Sequence, residues 1–226
     1  HFGHNATVAW CITHAMADYQ DLYFERFNKE IPVKYEFENE WKRAEISKET
    51  IKVRDGKDIQ ITVTTTQHGP VISGDPAKGY GLAFRYTGTE ENNTGFSCIF
   101  PMLKAENAFE LDSSMRNWVD PCNNLLCADV FGNIGYLTRG KIPIRSSANS
   151  WLPVPGWTGQ HEWEGYVPFE EMPRELNPES GYIVTANNRI IGKEYPYYIS
   201  QDFAPEFRAR RISERLVNLR NATTLD

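Results

Sequence analysis

The chain has 226 residues, of which 40% are hydrophobic and 13% aromatic, enough for one large domain or two small ones with a buried core. Its 24 basic and 30 acidic residues give a net charge of −6, which argues against a nucleic-acid partner because that role needs a basic face. No run approaches the ~18 apolar residues of a membrane helix, so we expect no membrane span.

Most of the chain alternates apolar and polar residues over short stretches, a pattern typical of strands. Asp55-Gly56 lies between two such stretches and supplies the residues that a hairpin turn requires. Gly132-Asn133 separates another pair. We therefore predict strands over residues 7–13, 22–27, 34–41, 51–53, 59–66, 81–87, 125–131 and 134–138.

Two stretches instead have the period of a helix, over residues 105–118 and 206–219. Because strands outnumber helices, the class is predicted as α+β and mainly antiparallel β. The apolar stripes of the two helices consist of Ala108, Leu111, Met115 and Trp118 in the first and of Ala209, Ile212, Leu216 and Leu219 in the second.

Residues 143–178 are rich in Pro, Gly and Trp and have little periodicity. A loop of this length inside a compact domain is uncommon and is often functional. Its tryptophans, Trp151, Trp157 and Trp163, indicate an ordered segment that follows the surface.

Residues 181–186 alternate and then run into two amides, Asn187 and Asn188. We predict a buried strand that delivers an Asn side chain to its tip, where a neutral donor can stabilise developing negative charge. The alternative is a pair of strand-end turn residues, since Asn tolerates a left-handed backbone.

Three carboxylates, those of Asp18, Asp21 and Asp202, form a candidate oxygen-ligand site for a hard cation such as calcium. The alternative is an ordinary solvated turn. His68 is expected to shape the end of a strand, and the four cysteines are expected to be free thiols.

Ten short blocks follow one another in a fixed order over nearly the whole chain. Among the blocks are Gly3-His4-Asn5, His68-Gly69-Pro70, Gly132-Asn133-Ile134-Gly135-Tyr136, Leu152-Pro153-Val154-Pro155-Gly156, Gly181-Tyr182-Ile183 and Ala186-Asn187-Asn188. Together they resemble the penicillin amidase (penicillin acylase) family of N-terminal nucleophile hydrolases.

The resemblance implies a precursor that cuts itself into an α chain and a β chain. The β chain begins with a catalytic Ser, whose own α-amine serves as its base. This sequence resembles a β chain entered some tens of residues after that Ser, so residues 1–226 are expected to form a single partial domain of the αββα fold. We expect it to perform no acyl transfer alone.

The resemblance also implies a small-molecule acyl amide substrate, with the α chain and the remainder of the β chain as partners. The compartment implied is periplasmic or secreted. Because the missing segments would leave strand edges uncovered, we expect the fragment to self-associate, as a dimer. The competing hypothesis is a non-catalytic binding module that holds a partner through residues 151–163.

Carried over residue by residue, Asn187 resembles the side-chain donor of the oxyanion hole. The second donor is a backbone N–H that falls at His14, where relatives carry Asn or Ala. Arg211 resembles the family arginine near the catalytic centre, and its side chain is expected to face inward. Phe2 and Ile99 fall on walls of the acyl pocket.

The carboxylates of Asp18, Asp21 and Asp202 match the acidic calcium ligands of the family. Gln20 and Ser150 fall where family members offer backbone carbonyls. The resemblance therefore implies a structural calcium ion.

Overall fold

The computed structural model describes residues 2–90 and 93–219. The chain forms two compact units. Unit 1 comprises His1–Asp18, Glu90–Pro143 and Tyr166–Asp226, and unit 2 comprises Tyr19–Thr89 and Ile144–Gly165. The single partial domain over residues 1–226 stays a prediction.

Strands dominate the described residues, and short helices join them. None of the described helices has the length and apolar character needed to cross a membrane. The elements are β1 Gly3–His4, β2 Val8–His14, β3 Gln20–Arg26, β4 Lys34–Phe37, β5 Glu40–Arg43, β6 Glu45–Ile51, β7 Ile59–Thr66, β8 Gly69–Asp75, β9 Tyr80–Tyr86, α1 Ile99–Lys104, α2 Ala108–Ser114, β10 Asn123–Asp129, β11 Ile134–Arg139, β12 Val154–Pro155, β13 Arg174–Leu176 and α3 Phe207–Asn218.

Unit 1 is built on a five-stranded antiparallel sheet in the order β1-β2-β10-β11-β13. His14 of β2 pairs with Asn123 of β10, which in turn pairs with Arg139 of β11. Leu125 and Leu137 lie opposite each other on β10 and β11 and are almost fully buried. This sheet pairs the end of β2 with the start of β10.

Unit 2 contains a six-stranded sheet in the order β12-β3-β9-β8-β7-β6 and a separate hairpin of β4 and β5. All neighbours are antiparallel except β12 and β3. The predicted hairpin around Asp55 is present, since Ile51 pairs with Ile59 and Asp55 has a φ of 58°, but its first strand is Glu45–Ile51 and not residues 51–53. The mainly antiparallel α+β class is therefore confirmed.

The segment 34–41 is a hairpin, where one strand was predicted. Glu38 and Asn39 have φ of 50° and 65°, so the chain reverses between β4 and β5. Two successive residues of positive φ match the twist of the flanking strands, which favours a two-residue turn.

The helix predicted over residues 105–118 is shorter in the structure, where α2 covers Ala108–Ser114. Asn107 has an extended backbone and caps α2, because its side chain accepts a hydrogen bond from the backbone N–H of Glu110. The preceding helical turn belongs to α1, and a 3₁₀ turn over Met115–Asn117 follows α2. The second predicted helix is confirmed as α3, within one residue at each end.

Candidate active site

Asn187 lies in a bend of the backbone and not at the tip of a strand. Residues 181–188 form bends and irregular structure, so the predicted strand is wrong. The backbone N–H of Ala186 donates to Oδ1 of Asn188 at 3.0 Å, a local bond that takes the place of sheet pairing. Asn187 has a φ of 63°, which confirms the left-handed alternative.

The side-chain amide of Asn187 is held at both of its polar atoms. Nδ2 donates to the backbone carbonyl of His14 at 2.8 Å, and Oδ1 accepts from Nη2 of Arg208 at 2.8 Å. A carbonyl can only accept and a guanidinium can only donate, so the chemistry of the two partners fixes which way the amide faces. The His14 carbonyl uses one of the two N–H bonds of Nδ2, and the described residues show no partner for the second.

Arg208, and not Arg211, contacts the Asn187 bend. Nη2 of Arg208 also donates to the carbonyl of Ala186 at 2.8 Å, so it bridges two consecutive residues of the bend. Arg211 is exposed, and its described ion pair is with Glu214 at 3.4 Å, so the inward orientation expected for it is not observed. Helix positions three residues apart differ by about 60° around the axis. The pattern of polar residues on α3 does not distinguish two arginines separated by that angle. A catalytic role for Arg211 stays a prediction.

His14 is the last residue of β2, and its side chain is exposed. Its carbonyl meets Asn187, whereas the sequence analysis assigned the role of second oxyanion donor to its backbone N–H. Phe2 is 75% exposed and Ile99, the first residue of α1, is half-buried. The second-donor role and the pocket walls stay predictions.

The candidate calcium ligands are divided between the two units. Asp18 is half-buried and Asp202 exposed in unit 1, whereas Gln20, Asp21 and Ser150 belong to unit 2. The described residues contain no group of three or more His, Cys, Asp or Glu side chains arranged to hold a metal. Calcium coordination stays a prediction.

The hydrogen bonds of the Asp21 carboxylate show how well these residues suit a cation. Its Oδ2 accepts from Nε of Arg145 at 2.6 Å, Nδ2 of Asn149 at 3.1 Å and Nε1 of Trp163 at 2.5 Å. Its buried Oδ1 has no hydrogen-bond partner among the described residues. That oxygen suits a hard cation, but Arg145 already supplies a positive charge to the same carboxylate.

Unit 2 contains a buried ionic cluster that the sequence analysis did not find. Nδ1 of His68 lies 2.7 Å from Oε1 of Glu25, and Nε2 lies 2.6 Å from Oε1 of Glu162. Ionised carboxylates can only accept, so this arrangement favours an imidazolium whose two ring nitrogens both donate. Burial acts to lower the pKa of His68, but the hydrogen bonds and charges of Glu162 and Glu25 outweigh it and raise the pKa.

Two of the three tryptophans in the long loop are packed within unit 2. The guanidinium of Arg26 lies 4.2 Å from the ring centre of Trp157, and that of Arg85 lies 4.3 Å from Trp163. Trp151 alone among the three is largely exposed, at 71%. The aromatic residues of this loop therefore serve mainly to order it, which weakens the binding-module hypothesis.

Comparison with known proteins identifies the class. The chain is similar to the thermostable penicillin G acylase from Alcaligenes faecalis, with a TM-score of 0.81 and 27% identity, over 95% of this chain and 39% of that one. It is 43% identical over 217 residues to the penicillin acylase 2 proenzyme of Pseudomonas sp. (strain SE83), covering 96% of this chain and 28% of the relative. It is 30% identical over 217 residues to the acyl-homoserine lactone acylase QuiP of Pseudomonas fluorescens (strain Pf0-1), covering 94% and 26%.

The fold is therefore that of the N-terminal nucleophile hydrolases, in an amidase class. The penicillin amidase family model matches residues 1–226, and the chain belongs to that family. The chain spans about a quarter of the length of the curated relatives it matches.

Proposed function

We propose that this chain supplies the oxyanion-stabilising part of an enzyme that hydrolyses linear amides. The observation that carries the proposal is the doubly held amide of Asn187. One N–H donates to the carbonyl of His14, which leaves the second N–H of Nδ2 to donate to an acyl oxygen in this proposal. A donor that is already oriented stabilises the developing negative charge without reorganising during the reaction.

Arg208 strengthens this donor in two ways. Its guanidinium holds Oδ1 in place at 2.8 Å, which restricts rotation of the amide. Its positive charge also draws electron density toward Oδ1, so the N–H bonds become better donors. We therefore assign Arg208 as a positioning residue for Asn187.

The nucleophile in this proposal is an N-terminal Ser that lies outside the chain. Acid–base chemistry would come from the α-amine of the same residue. The α chain and the rest of the β chain would complete the site around a small-molecule acyl amide, either a penicillin-type N-acyl amide or an acyl-homoserine lactone. A calcium ion on Asp21 and the neighbouring oxygens would add rigidity and would take no chemical part.

The sharpest test replaces the matching region of the Pseudomonas penicillin acylase 2 proenzyme by this chain and then introduces Asn187→Ala. We expect kcat to fall by about 10²–10³ with a smaller change in KM, because the donor acts on charge that develops in the transition state. Asn218→Ala, which removes an exposed amide of α3, serves as the matched control.

Full activity of the Asn187→Ala chimera would contradict the proposed role. The isolated 226-residue chain should not hydrolyse a chromogenic phenylacetyl or aliphatic acyl amide faster than a denatured sample. Turnover by the isolated chain would show that the nucleophile lies within it.

A further inference from the structure

A pair of threonine hydroxyls lies beside the Asn187 bend. Oγ1 of Thr13 donates to Oγ1 of Thr185 at 2.9 Å. Thr13 directly precedes His14 on β2, and Thr185 lies two residues before Asn187. The bend is therefore tied to the end of β2 at two points, through Thr13 to Thr185 and through the His14 carbonyl to Asn187.

The hydroxyl of Thr13 is itself held by a buried polar group of the sheet. Nδ2 of Asn124 donates to Oγ1 of Thr13 at 3.2 Å, and Asn124 is fully buried opposite Thr13 in the sheet register. Oδ1 of Asn124 accepts from the hydroxyls of Tyr136 at 3.1 Å and Thr138 at 3.2 Å. These groups form one network that runs across three strands of unit 1 and ends at Thr185.

A buried polar network of this kind has a specific consequence for geometry. Each bond in it is directional, and breaking one leaves a buried group without its partner. Arg208 and the N–H of Ala204 hold the bend from other elements. Loss of the Thr13–Thr185 bond removes one of its two attachments to β2 and lets the Asn187 amide change direction. The Thr13–Thr185 bond is thus suited to set the direction in which the second N–H of Asn187 points.

We propose that Thr185 and Thr13, supported by Asn124, are positioning residues that orient the Asn187 donor. This inference rests on the proposed function, since orientation matters for catalysis only if Asn187 is a donor. The network would orient Asn187 and would not itself contact the reacting atoms.

The test measures the side-chain amide of Asn187 by NMR in the full 226-residue chain, with Asn187→Asp used to assign its proton–nitrogen correlations. In Thr185→Val, which keeps the shape but removes the hydroxyl, we expect these correlations to shift and their exchange with water to rise about two- to tenfold, the range for one lost hydrogen bond. Thr13→Val removes the other end of the same bond and also the acceptor of the Asn124 amide, so it should change the correlations at least as much.

Three comparisons separate positioning from a general loss of stability. Thr185→Ser keeps the hydroxyl and should restore the wild-type correlations. The double variant Thr13→Val/Thr185→Val should change exchange no more than Thr13→Val alone, because Thr13→Val already removes the Thr13–Thr185 bond. Thr158→Val, in unit 2, should leave Asn187 unaffected.

Unchanged Asn187 correlations in a folded Thr185→Val or Thr13→Val chain would overturn the inference. The readout does not depend on catalysis. An active Asn187→Ala chimera would therefore refute the donor role alone, and an unmoved Asn187 amide would refute the positioning role alone.

Discussion

At the scale of single residues, the Asn187 bend depends on side chains that satisfy backbone groups. The N–H of Ala186 is bound by Asn188, its carbonyl by Arg208, and the carbonyl of Asn187 by the N–H of Ala204. Ala186 is only 4% exposed, so its backbone groups need these partners. Because these partners satisfy its backbone hydrogen bonds, the bend can contain a residue with a left-handed backbone conformation without pairing with a strand.

Two arginines of α3 provide a matched comparison at this scale. Arg208→Met removes two bonds to the bend, and we expect the free energy of unfolding to fall by about 0.5–1.5 kcal/mol. Arg211→Met removes one long, exposed ion pair, and we expect a change within about 0.5 kcal/mol. Urea denaturation measures both, and an equal or larger effect at Arg211 would contradict the assignment of Arg208.

The sequence indicated Asn187 but not the manner in which it is held. The family resemblance identified the amide, and the tolerance of Asn for a left-handed backbone suggested its conformation. The choice between Arg208 and Arg211 depends on how far α3 is rotated relative to the bend. That rotation is set by tertiary packing. The apolar stripe of a helix does not determine it to within one residue.

At the scale of elements, β3 organises unit 2 through one of its faces. Asp21, Tyr23 and Glu25 alternate along the strand and therefore point the same way. Asp21 binds Arg145 and Asn149, the Tyr23 hydroxyl donates to the carbonyl of His161, and Glu25 reaches Glu162 through His68. One strand face thus orders the segment 144–165, which has little secondary structure of its own.

The His68 cluster makes the stability of this arrangement depend on pH in two directions. The pKa of His68 is raised above its usual 6.5. The contribution of protonated His68 to the free energy of unfolding is therefore complete below pH 6.5 and is lost as pH rises through the raised value. Burial acts to raise the pKa of Glu162, but the bond to His68 and nearby positive charges lower it below the usual 4.5. Its contribution is complete above pH 4.5 and is lost as pH falls through the lowered value.

We therefore expect a plateau of stability between about pH 4.5 and 6.5, with a decline on both sides. Glu162→Gln removes one carboxylate from His68, so the alkaline decline should move to lower pH. NMR titration of the His68 ring protons and urea midpoints across the pH range measure this shift. Glu164→Gln, an exposed carboxylate two residues away, is the control, and an equal shift in both variants would show that the cluster is not responsible.

Periodicity predicted most strands but missed the elements that depend on long-range contacts. The hairpin at Asp55 was predictable because its signal is local. The ionic cluster was not, because Glu25, His68 and Glu162 are far apart in the chain and each alone resembles an ordinary surface residue. The late start of α2 was missed although its signal is local, since Asn107 caps the helix and Glu110 follows three residues later.

At the scale of the whole molecule, apolar surface remains exposed on both units. In unit 1, Ile212 and Val217 of α3 are 42% and 67% exposed, although the helix has an apolar stripe. In unit 2, β6 is an edge strand of its sheet, and the paired residues Ile51 and Ile59 are 49% and 52% exposed. A chain that spans about a quarter of its relatives is expected to present surfaces that other segments cover in them.

We expect the 226-residue chain to self-associate through the β6–β7 hairpin, because a strand edge and an adjacent apolar pair favour pairing with a second copy. Light scattering coupled to size-exclusion chromatography should show a dimer whose fraction increases with concentration. Ile51→Lys/Ile59→Lys places charge on the apolar pair and should shift the equilibrium toward monomer. Thr50→Lys/Gln60→Lys, the neighbouring cross-strand pair on the opposite face of the same hairpin, controls for the added charge. A monomer at high concentration would contradict self-association. A dimer that the double Lys variant does not weaken would contradict the hairpin interface and would make the exposed face of α3 the next candidate.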